Sequence, residues 1–161
     1  MVAVVMGVTG AGKTTVGSLL AREMGWRFAD ADTFHSPENI DKMRRGVALD
    51  DADRGPWLEA MRAAMLKWQA DSRNVVLACS ALKQIYRERL EVGPEVKFVY
   101  LKGSYEVIDQ RLLSRHGHFA TDNILSSQFA TLEEPRDAIV VDVSGTPEQI
   151  VQEIRRRLAL K

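Results

Sequence analysis

The sequence predicts an α/β fold in which helices cover both faces of a five-stranded parallel sheet. Short apolar runs rich in β-branched residues alternate with helical patterns, and a glycine-rich turn directly follows the first run. The chain has 161 residues and shows no repeat, low-complexity stretch or linker. We therefore expect one domain that spans residues 1–161.

The apolar runs define the expected strands, which cover residues 2–6, 26–30, 74–79, 96–101 and 138–142. Caps mark the starts of two helices. Ser36 followed by Pro37 is an N-cap with proline in the first turn, and Thr146 with Gln149 forms a capping box. In the segment 53–70, apolar residues recur at spacings of three and four, which predicts a helix with one buried face: Leu58, Met61, Met65 and Trp68.

The composition excludes several classes of function. Lysine plus arginine and aspartate plus glutamate both number 22, so no basic excess favours nucleic acid or a membrane surface as a partner. The single cysteine, Cys79, rules out an internal disulfide and is expected to be buried and inert. With no cleavable signal and no apolar run long enough to span a bilayer, we expect a cytoplasmic protein.

The strongest motif is GVTGAGKT, residues 7–14, which fits G-x-x-x-x-G-K-[ST] directly after the first predicted strand. Its glycines leave room for backbone N–H groups at a helix N-terminus to reach phosphate oxygens. The Lys13 ammonium is expected to contact the β- and γ-phosphates, and the Thr14 hydroxyl to ligate the Mg²⁺ that bridges them. The residues of this segment expected to bind ATP are Gly7, Val8, Thr9, Gly10, Ala11, Gly12, Lys13, Thr14 and Thr15.

A phosphate loop alone does not identify the reaction. The chain has no guanine-reading N-K-x-D, which argues against a GTPase. A motor or transporter ATPase is usually longer and carries a Walker B aspartate on a neighbouring strand. Here the third predicted strand ends in Cys79 and Ser80, and Asp142 lies on the last strand. A small kinase and a nucleotide-binding module without chemistry remain.

Asp30 and Asp32 lie one residue apart at the end of the second predicted strand, in FADADTFH. Two like charges beside a phosphate loop are costly unless cations and hydrogen bonds balance them. We assign Asp30 to the Mg²⁺ shell with Thr14, and Asp32 to the acceptor hydroxyl, which it orients and deprotonates. The alternative is a solvated acidic turn.

Sequence blocks spread over nearly the whole chain resemble one known family. They are MGVTGAGKTT, DADTFHSPENIDKM, DDADRGPWL, CSALKQIYRERL, YLKG, and RLLSRHGHF with SQFATLEEP. In order and spacing the chain resembles the gluconate kinases of the shikimate and nucleoside-monophosphate kinase-like P-loop group. The resemblance implies phosphorylation of the 6-hydroxyl of D-gluconate by ATP, giving 6-phosphogluconate and ADP.

The resemblance also implies a three-layer α/β/α P-loop NTPase fold with a helical lid, and a homodimer. By the same analogy, residues 144–147 are expected to lie against the adenine. The chain departs from the family pattern at Ala120, where a bulky residue often follows GHF, and at Ala130, where QFETLE is common. Both departures concern lid contacts rather than the reaction.

Gluconate is a monoanion with a row of hydroxyls, so its site should offer cations and hydrogen-bonding groups. Arg54 follows DDAD at the start of a helix, while Lys83 and Arg87, four apart, are expected on one helix face over the same crevice. For each cation, a plain surface charge is the alternative. The residues expected to bind gluconate are Asp32, His35, Lys42, Arg45, Arg54, Lys83 and Arg87.

The segment RLLSRHGHF predicts the lid. Arg111 and Arg115 lie four apart on a helix expected to break at Gly117, and residues 112–131 would close over the phosphates and exclude water. Both arginines are expected to bind ATP. Arg115 completes the catalytic set with Lys13 and Asp32 by stabilising charge on the transferred group. The alternative is a solvated basic helix end.

Two other functions stay open at this point. A related small-metabolite kinase, such as a shikimate kinase, would share the loop and the acidic pair, but DDADRGPWL and CSALKQIYR favour gluconate. A nucleotide-sensing P-loop protein that transfers no phosphate is disfavoured because the expected catalytic and metal-binding residues are all present: Lys13, Thr14, Asp30, Asp32 and Arg115.

Overall fold

The computed structural model describes residues 1–47, 49–116 and 122–158. The strands are β1 (Val2–Met6), β2 (Arg27–Asp30), β3 (Val75–Ala78), β4 (Val96–Lys102) and β5 (Ile139–Asp142). The helices are α1 (Lys13–Met24), α2 (Pro37–Arg44), α3 (Asp51–Ala70), α4 (Gln84–Leu90), α5 (Tyr105–His116), α6 (Asp122–Thr131) and α7 (Pro147–Arg157), and a 3₁₀ turn covers Ala31–Phe34. No helix within these ranges combines the length and the apolar character that crossing a bilayer requires.

The five strands form one parallel sheet in the order β2-β3-β1-β4-β5. This confirms the predicted sheet, and each strand begins and ends within one residue of its predicted bounds. The central strand β1 pairs with β3 on one side and with β4 on the other. Ligands of such sheets bind at the carboxyl ends of the strands where the strand order reverses, and here that place is the end of β1.

Apolar side chains on both faces of the sheet form two cores, so the fold has three layers. One core joins the sheet to α1, α5, α6 and α7, and the other joins it to α3 and α4. In α3, Leu58, Met61 and Met65 are buried as the periodicity predicted, whereas Trp68 is only partly buried. Cys79 is also buried, as predicted.

Helix caps place the elements around the sheet. The predicted caps are confirmed at Ser36 for α2, and at Thr146 with Gln149 for α7. Helix α3 begins two residues earlier than predicted, because Asp50 and Asp53 form a capping box that lies before the apolar repeat of the helix. The polar first turn of α3 is therefore helical and helps to form the site described next.

Candidate active site

The phosphate loop connects β1 to α1 at the carboxyl end of the central strand. Gly10 and Gly12 have φ values of +79° and +96°, which residues with a side chain adopt only under strain. A Cβ on Gly10 would also lie 2.7 Å from the Cγ of Leu112 in α5. The loop leads into the N-terminus of α1, whose free backbone N–H groups suit an anionic ligand such as phosphate.

Lys13 is the first residue of α1. Its ammonium donates to the carbonyl oxygens of Gly7 and Val8, both at 3.0 Å. Burial lowers the pKa of Lys13, and the nearby carboxylates of Asp30 and Asp32 oppose that shift. The ammonium is therefore held over the loop, within electrostatic reach of the acidic pair.

Asp30, the last residue of β2, has the contacts of a candidate magnesium ligand. Its carboxylate accepts from the Asp32 backbone N–H at 2.9 Å and from the Thr14 hydroxyl at 3.4 Å. Among the described residues there is no cluster of three acidic, histidine or cysteine side chains that would enclose a metal by itself. Mg²⁺ needs no such cluster, because it usually binds one or two carboxylates together with phosphate oxygens and water. The Thr14 and Asp30 oxygens fit that requirement.

Asp32 differs from Asp30 in that its carboxylate is uncommitted. The Asp32 side chain is exposed, and within the described part of the chain its carboxylate oxygens accept no hydrogen bond. Both aspartates line a cavity of about 290 Å³, together with Lys13, Thr14 and other residues of the phosphate loop. The acidic pair is thus a wall of the phosphate-loop cavity, not an isolated acidic turn.

Arg54 and Lys83 approach the same aromatic ring where α3 and α4 begin. The Arg54 Cζ lies 5.7 Å and the Lys83 Nζ 5.6 Å from the centroid of Tyr86. The Tyr86 hydroxyl donates to Asp51 Oδ1 at 2.7 Å, and this bond lowers the pKa of the Asp51 carboxyl. The same Asp51 oxygen lies 3.9 Å from Arg54 Nη1 and 3.5 Å from Lys83 Nζ. Because two cations share one carboxylate, the cluster keeps positive charge for an anionic substrate.

His35 lies near both the acidic pair and this cation cluster. Its ring stacks on Trp57, with the centroids 4.5 Å apart and the planes 8° from parallel. Burial lowers the pKa of His35; the Asp32 carboxylate opposes that shift and the Arg54 guanidinium adds to it. Of the expected gluconate-binding residues, the structure therefore brings Asp32, His35 and Arg54 together, with Lys83 beside Arg54.

Lys42 and Arg45 each have a carboxylate partner. The Lys42 ammonium lies 2.9 and 3.1 Å from the two carboxylate oxygens of Asp53, and this hydrogen bond raises the pKa of Lys42. Arg45 pairs with Asp41 at 3.0 Å, and both side chains are more than 60% exposed. The described contacts of these two cations are therefore on the surface of α2 and at the start of α3.

Arg87 faces the protein interior. It is 3% exposed and donates to the carbonyl oxygens of Ala81 at 2.7 Å and Glu133 at 2.6 Å. The expectation that Lys83 and Arg87 share one helix face is wrong, because Lys83 is the cap residue before α4 and Arg87 turns inward. Ala81 has a strained φ of +46°, and the bond from Arg87 holds this residue in place.

A second cavity, of about 310 Å³, adjoins the phosphate loop. Arg111 of α5 and Gly145 and Pro147 of the last connection line it with the phosphate loop. The Arg111 guanidinium also donates to the carbonyl oxygen of Val143. Arg111 and the segment expected to contact the adenine thus lie beside the loop.

The remaining lid residues are only partly described. Arg115 belongs to α5, but its side chain lies outside the described residues, as do Gly117 and Ala120. Ala130 is exposed near the end of α6. A larger cavity, of about 650 Å³, is lined by α4, the start of β4 and the segment before β5, and includes no residue of the phosphate loop. We therefore place the chemistry in the two smaller cavities.

Sequence reasoning missed several residues that shape the site. Gln128 of α6 accepts a hydrogen bond from the backbone N–H of Thr9 in the phosphate loop, at 2.5 Å. Asn39, Asp51, Trp57 and Tyr86 all lie inside the quoted sequence blocks. An anionic substrate predicts cations, and these four residues are neutral or acidic, so only their position inside blocks that resemble the family could have indicated them.

The position of the loop and the acidic pair defines a class of protein. A phosphate loop at the end of the central strand shares one cavity with a carboxylate pair at the end of β2, as in small P-loop kinases. A family model described as shikimate kinase matches residues 9–159. The chain belongs to the shikimate kinase family, which agrees with the resemblance of its sequence blocks to the gluconate kinases of that group.

Within this family, the chain is similar to several gluconokinases. Gluconokinase from Gluconobacter oxydans is 43% identical, with 95% of this chain and 88% of the relative covered. Thermoresistant gluconokinase from Escherichia coli is 42% identical, with 92% and 87% covered. Among solved structures, a gluconokinase from Sinorhizobium meliloti matches with a TM-score of 0.86 at 42% identity, covering 98% of this chain and 90% of that one. Shikimate kinase from Aquifex aeolicus matches with a TM-score of 0.60 at 20% identity, covering 99% and 96%, which shows the fold alone.

Proposed function

We propose that this protein is a gluconokinase, which transfers the γ-phosphoryl group of ATP to the 6-hydroxyl of D-gluconate. One observation carries the proposal: the uncommitted Asp32 carboxylate and the phosphate loop line the same cavity. A loop of this kind holds a nucleotide, and a free carboxylate opposite it suits the deprotonation of an acceptor hydroxyl. The gluconokinase relatives support gluconate as that acceptor.

On the donor side, the backbone N–H groups of residues 7–14 would hold the β- and γ-phosphates. Lys13 would give up its contacts with Gly7 and Val8 and place its charge on the phosphate oxygens. Mg²⁺, held by Thr14 and Asp30, would supply further positive charge when bound. These residues position the phosphoryl group and stabilise its charge.

On the acceptor side, Asp32 would orient the 6-hydroxyl and take its proton. A bond then forms between the acceptor oxygen and the γ-phosphorus, while the bond from that phosphorus to the β-phosphate oxygen breaks and releases ADP. The proton on Asp32 passes to solvent, to which this side chain is exposed. Atoms and charge balance without another reactant.

Arg54 and Lys83 would bind the gluconate carboxylate. Arg54 acts electrostatically on His35, as Asp32 does, and one carboxylate, Asp51, neutralises the two cations only in part. A charge-assisted hydrogen bond contributes about 1.5 to 3 kcal/mol, which favours gluconate over neutral glucose by one to two orders of magnitude. The cluster therefore accounts for selection of a sugar acid.

Closure of the segment 112–131 would complete the site. Helices α5 and α6 pack together through Tyr105 and Phe129, whose ring centroids are 5.7 Å apart. We propose that Arg111 contacts the nucleotide and that Arg115 stabilises the transferred group after closure. Because ATP is the phosphoryl donor, we also propose a cytoplasmic location.

The experiment that tests the function is ADP release from the full chain with ATP and Mg²⁺. The acceptors are gluconate, glucose, shikimate and nucleoside monophosphates, each tested alone. We expect release with gluconate, and release with glucose reduced by about one to two orders of magnitude. Release of ADP with shikimate, and none with gluconate, would contradict the assignment of gluconate as the acceptor. Nucleotide binding with no acceptor-dependent release would favour the nucleotide-sensing alternative.

A further inference from the structure

The ring of His35 is fixed in orientation by its neighbours. It stacks on Trp57, and the Trp57 indole N–H donates to the carbonyl oxygen of Ala31 at 2.8 Å. Trp57 is 6% exposed, so the indole forms a rigid surface against which the imidazole lies. The imidazole edge, rather than its plane, is therefore available for polar contacts.

The side-chain amide of Asn39 sets the hydrogen-bonding role of that edge. Asn39 Nδ2 lies 2.8 Å from the carbonyl oxygen of Asp53 and 3.2 Å from His35 Nδ1. A carbonyl oxygen only accepts, so the amide nitrogen and not the amide oxygen must face Asp53. The two hydrogens of the NH₂ group then go one to each partner, and His35 Nδ1 must accept.

Asn39 cannot easily turn to another orientation. It is 5% exposed, and its own backbone N–H donates to the Ser36 hydroxyl at 3.1 Å in the cap of α2. Turning the amide over would set its oxygen against the Asp53 carbonyl oxygen, two acceptors with no hydrogen between them. The cap of α2 and the first turns of α3 thus hold the amide in place.

Burial also favours the neutral ring of His35, although the Asp32 carboxylate opposes it. Asp32 in the 3₁₀ turn and Arg54 in α3 are the charged groups that influence it, with opposite signs, and burial lowers the pKa of His35. A proton on Nδ1 would meet the NH₂ group of Asn39, donor against donor. Within the described part of the chain, the second ring nitrogen, Nε2, has no hydrogen-bond partner.

We propose that Asn39 is a positioning residue that holds His35 as the neutral Nε2–H tautomer, so that His35 donates a hydrogen bond to a hydroxyl of the acceptor. The substrate part of this proposal rests on the proposed function. A neutral donor suits this place because an imidazolium would pair with Asp32 and weaken it as a base. In this arrangement Arg54 and Lys83 bind the carboxylate of gluconate, and His35 binds one of its hydroxyls.

The tautomer can be read without any assay of activity. The full chain is labelled with ¹⁵N-histidine, and the ring nitrogens of His35 are assigned by comparison with His35→Asn; the chain has three histidines in all. At pH 7 we expect a neutral ring with hydrogen on Nε2 and an unprotonated Nδ1. An Nδ1–H tautomer or an imidazolium would overturn the proposal, whatever the substrate of the protein.

Kinetics test the consequence of the tautomer. Asn39→Ala should reduce kcat/KM for gluconate by about three- to tenfold, the effect of one neutral hydrogen bond, and leave the KM for ATP unchanged. In the His35→Ala background the same substitution should change little, because Asn39 acts through His35. Full additivity of the two substitutions would overturn the proposal. Asn74→Ala, which removes an exposed asparagine bonded to the N-terminus, is the matched control and should leave both constants unchanged.

Asn39→Asp adds a pH test. A carboxylate oxygen facing Nδ1 accepts instead of donating, so it should place a proton on Nδ1 and raise the pKa of His35. We expect a histidine titration in the pH profile of kcat/KM for gluconate that the parent lacks near pH 7. An unchanged profile in a folded variant would overturn the proposal. If wild-type protein shows no gluconate-dependent turnover, the proposed function fails, while the ¹⁵N measurement still decides the tautomer.

Discussion

The two sides of the candidate active site, one for the nucleotide and one for the acceptor, are built in different ways. The phosphate-binding part of the nucleotide side comes from one continuous stretch, residues 7–14, and most of its expected ligands are backbone N–H groups. The acceptor side comes from side chains on the 3₁₀ turn, α2, α3 and α4, which are far apart in sequence. Geometry on the first side depends on glycine, whereas geometry on the second depends on contacts between helices.

The two sides are expected to tolerate different substitutions. A backbone site fails when its loop cannot keep its shape, and any side chain that alters the shape affects the bound nucleotide. A side-chain site can lose one group and keep the others, because each of its side chains is held by its own neighbours. Substitutions on the acceptor side should therefore separate binding of the acceptor from binding of ATP, and substitutions in the loop should affect ATP first.

The largest effect is expected at the meeting point of the two sides. Asp32→Asn keeps the shape of the side chain but removes its ability to take a proton, so kcat with gluconate should fall by about 10² to 10⁴. Nucleotide affinity should stay within a few-fold. The measurement is gluconate-dependent ADP release beside a titration of ATP. Asp41→Asn, on the exposed face of α2, is the control, and near-normal turnover of Asp32→Asn would remove Asp32 from the mechanism.

The next effect tests the backbone side. Gly10→Ala would force a side chain to adopt φ +79° and would place its Cβ 2.7 Å from Leu112. A left-handed residue alone costs about 1 to 2 kcal/mol, so we expect nucleotide affinity to fall by roughly tenfold or more. The matched control is Gly46→Ala, where φ is +72° and nothing lies within 4 Å of the added Cβ. Equal loss of nucleotide affinity in both variants would contradict a role of the loop geometry.

The same contrast explains how much the sequence alone could predict. The sheet, the caps of α2 and α7 and the phosphate loop depend on local spacing, and each was predicted nearly to the residue. The acceptor side depends on tertiary contacts that spacing does not contain. Nothing in KQIYR indicates that Lys83 stays outside α4 while Arg87 turns inward to Ala81 and Glu133. The sequence gives the charge of each side chain, but it does not indicate whether that side chain points to the site or to the protein interior.

A smaller effect should separate the cations of the acceptor side from one another. Arg54→Ala removes a member of the cluster around Tyr86 and should raise the KM for gluconate by about 10- to 100-fold, with little effect on the KM for ATP. Arg45→Ala removes an exposed cation that pairs with Asp41, and its KM for gluconate should stay within about twofold. Steady-state kinetics with each substrate varied in turn measures both. Equal increases in the two Michaelis constants of Arg54→Ala would indicate a structural role instead.

The smallest effect on turnover, and the largest on stability, is expected for Arg87→Ala. Its guanidinium is buried and bonds the carbonyl oxygens of Ala81 and Glu133, which would lose their donor. Leaving a buried acceptor unsatisfied costs about 1 to 3 kcal/mol, and in a chain of this size each kcal/mol lowers Tm by roughly 2 to 4 °C. Arg89→Ala, on the same helix, removes an ion pair with Glu59 between partly exposed side chains and should change Tm far less. Thermal unfolding and the KM for gluconate, measured together, distinguish a structural role of Arg87 from a role in substrate binding. A stable Arg87→Ala protein with a greatly raised KM would mean that Arg87 leaves its interior contacts to bind the substrate, and that the acceptor side rearranges when gluconate enters.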